Sequence, residues 1–226
     1  MKKTQLTFLL GIGASLLGPI TSADAHFLWG NVTTGPEPTY RLTISETPVE
    51  GTDADHIEQA KDSSAWLVGD KDLKLTLTDG FFAAPLTPTA KVVAAGYSWG
   101  VYPDENKKGM HLLDLYAKAA TTEAAAAESA NLPLEVFARR DGNEFVATVK
   151  ALGKNLSKAE VVVVSPDEKV EKTLTTDKKG SVRFPYTKAG LYTVRAINVV
   201  TPRTGAHNGK AYTSVLGFST LTFTAS

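Results

Sequence analysis

The sequence predicts an all-β protein made of two β-sandwich-like halves, the second of them immunoglobulin-like or transthyretin-like. Three observations carry this. Short runs of alternating polar and apolar residues recur along the chain, which is the period of half-buried strands. In the second half, turn residues return roughly every 8–12 positions, as they do in small sandwiches. The one segment with helical spacing, residues 56–61, is short.

The chain opens with Lys2 and Lys3, an apolar run over residues 6–17, and the small pair Ala23 and Ala25. That order of charge, apolar stretch and small-residue site is the grammar of an export signal. Residues 1–25 are therefore expected to be a signal peptide, cut before His26, with the mature protein in the periplasm or outside the cell. The apolar run is too short, and too soon followed by Pro19 and Ser22, to cross a bilayer. No integral membrane segment is expected after cleavage, and a retained signal anchor is the competing reading.

Residues 26–130 form the expected N-terminal β domain. Residues 39–44 alternate as a strand, and residues 46–55 carry Pro48, Gly51, Asp53 and Asp55, a loop composition. Asp53 or Asp55 is placed to cap the short helix at 56–61, with Ile57 and Ala60 on one face. Further strands are expected at 65–68, 73–77, 81–82, 91–95 and 111–119, with Asp79-Gly80 as a turn. Leu73, Leu75 and Leu77 share a face that should be core. Tyr97, Trp99 and Tyr102 are read as packing aromatics, and 103–109 as a charged loop. The alanine-rich stretch 117–130 lacks bulky apolar residues, so it is expected to be a linker that buries little.

Residues 131–226 form the C-terminal half. Seven strands are expected, at 134–138, 144–151, 160–164, 171–175, 181–184, 190–198 and 211–224. In the sixth, Tyr192, Val194 and Ala196 should face the core.

Composition excludes several classes of function. With 24 basic and 24 acidic residues, no basic field exists to hold nucleic acid. The chain has no cysteine, which excludes disulfides, thiolate ligands and Cys nucleophiles. No nucleophile elbow, zinc-protease helix or phosphate-cradling loop is present, so no enzymatic activity is expected.

The sharpest chemistry lies at His26. As the first residue of a processed chain it would offer both an α-amine and an imidazole, and the two can chelate one ion. One more imidazole would complete the nitrogen-rich, tetragonal environment that Cu(II) or Ni(II) prefers. The candidate metal residues are His26, His56 and His207. His56 stands in Asp53-Ala54-Asp55-His56, where a carboxylate could orient it or join it on a metal; the plain alternative is a solvated helix start. His207 sits in the Gly-containing loop 201–210, and its plain alternative is an exposed loop residue. His111 is expected to be a strand-end residue and not a ligand.

His26-Phe27-Leu28-Trp29 directly after the signal, Ser45-Glu46 before an acidic Pro-containing loop, Leu112-Leu113-Asp114-Leu115-Tyr116-Ala117-Lys118-Ala119, and Gly209-Lys210-Ala211-Tyr212 before Ser219-Thr220-Leu221-Thr222 resemble the DUF4198 family of secreted bacterial proteins. Some members of that family are encoded with nickel or cobalt uptake systems. The resemblance implies a β-sandwich architecture whose second half is similar to carboxypeptidase-regulatory or transthyretin-like modules, through Thr176-Asp177-Lys178-Lys179-Gly180 and Ala189-Gly190-Leu191-Tyr192. It also implies, for some members, divalent metal held by the N-terminal histidine, here His26. One position departs: where relatives often read His-Tyr-Ala-Thr-Leu-Thr, this chain has Gly217-Phe218-Ser219-Thr220-Leu221-Thr222.

The function expected from these readings is non-catalytic binding of a divalent metal (Ni, Co or Cu) in uptake or delivery, with an envelope metal-uptake transporter as partner. The alternative is an adhesive sandwich module that binds carbohydrate or protein without metal.

Overall fold

The computed structural model describes residues 26–33, 35–103, 109–167 and 172–226. The expected signal peptide lies outside the described residues, as do 104–108 of the charged loop and Glu171 at the start of one expected strand. In chain order the strands are β1 (Phe27–Thr33), β2 (Thr39–Ser45), β3 (Ser64–Leu67), β4 (Thr76–Thr78), β5 (Phe81–Pro85), β6 (Val92–Pro103), β7 (Met110–Ala120), β8 (Leu134–Asp141), β9 (Glu144–Ala151), β10 (Lys154–Asn155), β11 (Glu160–Val164), β12 (Lys172–Thr175), β13 (Ser181–Pro185), β14 (Gly190–His207) and β15 (Lys210–Ala225). A 3-10 turn at Ala54–His56 leads into α1 (Ile57–Lys61), the single α-helix among the described residues. The protein is all-β, as expected.

Among the described residues three sheets stack in layers. A seven-stranded sheet, ordered β12-β11-β14-β15-β7-β6-β3, lies in the middle. On one face sits the sheet β1-β2-β5-β4, and on the other a sheet in which β9 pairs with β8, β13 and β10. Because the middle sheet is covered on both sides, its strands bury consecutive residues. Val92 to Ala95 are all buried, as are Ser219 to Phe223. Alternation within those runs then sorts residues between two cores, a pattern more usual in sheets covered on both faces. Val92, Ala94, Leu221 and Phe223 join the core against β8 and β9, whereas Val93, Ala95, Leu115 and Ala117 join the one against β1 and β2. On β15, Thr220 and Thr222 turn the second way and donate to the backbone carbonyls of Leu28 and Gly30.

The expected boundary at 117–130 is bridged by this middle sheet. β7 from the first half and β15 from the second pair in parallel over ten residue positions, from His111 opposite Ser214 to Ala120 opposite Phe223. The alanine-rich stretch buries more than expected, with Ala117, Ala119, Ala120, Ala125, Ala126 and Ala130 all in the interior. Alanine side chains are small, so layers can approach closely there, and interior packing needs filled space more than large residues. Lys118 is buried among them with its ammonium on Glu135 of β8, at 2.9 Å.

One core expectation fails. Leu77 is exposed, and only Leu73 and Leu75 are partly buried. The strand there is the three-residue β4, at the edge of its sheet where it pairs with β5, and Leu77 is left 47% exposed. Tyr192, Val194 and Ala196 do face the core, all fully buried.

Candidate metal centre

His26 immediately precedes β1, whose first residue Phe27 pairs with Ser45 at the end of β2. The chain leaves β2 into the loop that carries Asp53, then the 3-10 turn that ends in His56. That loop folds back, because the Asp53 amide donates to the Ile44 carbonyl and the Thr52 amide to the Gly80 carbonyl. The result brings together residues about thirty positions apart. One donor atom from each of His26, Asp53 and His56 lies within 4.8 Å of the others.

Within the cluster, Nε2 of His26 is 2.7 Å from Oδ2 of Asp53. A carboxylate can only accept, so Nε2 carries the proton. In the neutral ring Nδ1 then holds the lone pair. The His26 and His56 rings lie 4.3 Å apart between centroids, and the His56 ring lies 5.2 Å from Trp99. Nδ1 of His56 is buried without a hydrogen-bond partner among the described residues. Burial, and then the neighbouring His26, pull the His56 pKa below its ordinary value, against an upward push from Asp53 and Asp55. His56 is therefore biased toward the neutral form that binds metals.

Trp99 reaches His56 because β6 carries a bulge. Ser98 pairs with Asp114 and Gly100 with Leu113, leaving Trp99 as the extra residue. Gly100 takes φ 148° there, a value glycine adopts without a Cβ penalty. Bulges of this kind re-aim a side chain, and Tyr97 then packs edge-on to Trp99 at 5.8 Å.

The structure brings His26 and His56 together and does not bring His207 to them. His207 closes the β14–β15 hairpin, where its Nε2 meets Nδ2 of Asn208 at 3.1 Å. It lines a cleft with Asp62, Tyr97 and Tyr116 and does not join the cluster. His111 is buried, with Nδ1 2.6 Å from Ser214 Oγ. A Cβ at Gly217 would meet Leu134 of the other core at 3.1 Å. Trp99 was legible only as a packing aromatic, since the single sign of its aim is the glycine that follows it.

No protein-family model matches the sequence, and no curated protein matches it.

Proposed function

We propose that this is an exported, non-catalytic protein that binds a divalent metal, Cu(II) or Ni(II), through His26 and His56, in metal uptake or delivery. The observation that carries the reading is the convergence of His26, Asp53 and His56 from two separate segments. After processing before His26, the α-amine and Nδ1 of that residue would chelate the ion, and His56 would add a second imidazole. Asp53, on Nε2 of His26, is the partner that orients a ligating imidazole and raises its basicity. A nitrogen-rich set without thiolate or thioether favours Cu(II) or Ni(II) over soft Cu(I). The partner in this reading is an envelope metal-uptake transporter, and the resemblance to DUF4198 points the same way.

Titration of the metal-free protein carrying His26 as its first residue, with Cu(II) and separately Ni(II), tests the proposal. One tight equivalent per chain with nitrogen-ligand spectra is expected, abolished in His26→Ala and weakened at least tenfold in His56→Ala. Unchanged binding in both variants would overturn it. The adhesive reading predicts no such metal dependence.

A further inference from the structure

A second site lies along β6, where Gly96, Tyr97 and Ser98 line a cleft that does not include His56. Beyond Gly96, which pairs with Ser64, β6 has no neighbour on its outer edge among the described residues. The β14–β15 hairpin covers the space. In the ladder Tyr116 stands beside Ser219, and a straight hairpin would carry Asn208 roughly 30 Å away at about 3.3 Å per residue. Yet His207 and Asn208 line the same cleft as Gly96, Ser98 and Tyr116. The hairpin therefore coils back, with register shifts after Ala196 and after Pro202. The cleft measures about 410 Å³, within the range of small-molecule sites.

The chemistry of its floor is set by Asp114, which is almost fully buried. Asp114 accepts from Ser98 Oγ at 2.7 Å, Tyr116 Oη at 2.8 Å and Arg203 Nη2 at 2.9 Å. Each of those two hydroxyls has one proton, and both are committed to Asp114. Their remaining capacity is to accept, and on Tyr116 part of it is taken by Arg203. Arg203 neutralises Asp114 but does not line the cleft, and neither does any lysine among the described residues. Asp62 is the carboxylate on the wall, and Tyr97 offers a ring beside it. Burial and then Asp62 push the Tyr97 phenol up, so that ring stays neutral.

We propose that this cleft binds a small organic ammonium ion. Its N–H donors match the accepting oxygens of Ser98 and Tyr116, its charge matches Asp62, and its carbon body and charge match the Tyr97 ring. A neutral polyol could donate to the same oxygens but brings no charge to match Asp62, and an anion would be repelled by Asp62. This site is separate from the metal centre and does not depend on it.

The test is NMR titration of the full mature chain in excess chelator with n-butylammonium, n-butanol and calcium chloride as separate probes. Saturable shifts of the Ser64, Ser98, Tyr116 and Asn208 amides are expected with n-butylammonium, at least tenfold weaker in Asp62→Asn and unchanged in His26→Ala. Asp62 is exposed, so the variant should keep its unfolding temperature. Equal binding of n-butanol, binding of calcium alone, no saturable shift, or an unaffected Asp62→Asn would each overturn the proposal.

Discussion

Asp53 and His26 meet at 2.7 Å between Oδ2 and Nε2, and this contact selects which nitrogen of the imidazole can face a metal. Because Nε2 keeps its proton and donates it to the carboxylate, Nδ1 is left as the ligating nitrogen nearest in the chain to the residue's own α-amine, the pair that closes a chelate ring. Removing such an orienting carboxylate generally costs about 10–100-fold in affinity. Asp53→Ala should therefore weaken Cu(II) or Ni(II) by that factor in competition titration, and Asp53→Asn, which still accepts through its amide oxygen, by less.

His56 should make the metal-free protein acid-sensitive. Its folded-state pKa is pulled below the ordinary 6.5 by burial and by His26. Above about pH 6.5 both folded and unfolded chains hold it neutral, so it imposes no penalty there. As pH falls through that value the unfolded chain takes up the proton first, and stability declines. Thermal unfolding followed from about pH 8 to about pH 5 should show a larger loss in the wild type than in His56→Gln.

Lys118 and Glu135 join the middle sheet to β8. The ammonium also donates to the Glu128 carbonyl, and Glu135 accepts from Ser129 Oγ and the Ala130 amide. Burial pulls the Lys118 pKa down although Glu135 pushes it up. Truncating one member strands a buried charge, which costs about 3–5 kcal/mol. Lys118→Ala should lose that much in urea unfolding, and the double variant Lys118→Met with Glu135→Leu should lose much less.

Gly30 and Tyr40 form a tight cross-strand fit. A Cβ at Gly30 would sit 2.7 Å from the Tyr40 hydroxyl, and Tyr40 is fully buried and cannot swing aside. Gly30→Ala should cost about 1–3 kcal/mol through overpacking. The Tyr40 hydroxyl lacks a partner among the described residues, so Tyr40→Phe should be neutral or stabilising and should recover part of the Gly30→Ala loss.

The strand text was legible because alternation and turn residues act locally. The limits appear where a neighbour decides. Leu77 carries a core pattern, but its strand ends up on a sheet edge with an open face. The alanine stretch reads as empty, but it lies where two layers close on each other. At the candidate metal centre, His26 stood out through the expected export signal and His56 through its flanking carboxylates. His207 offered the same residue type in a comparable loop, and only the coil of a long hairpin separates it from them. Trp99 depended on a bulge whose sequence trace is the single residue Gly100.

The central claim is that the donor set needs the amine and imidazole of one residue. Metal content should be compared between mature protein beginning at His26 and the same chain with a single alanine left in front of it, after identical loading with Cu(II) and desalting. Close to one ion per chain is expected in the first, and a loss of at least tenfold in affinity in the second. Equal metal content and equal affinity in both preparations would contradict it.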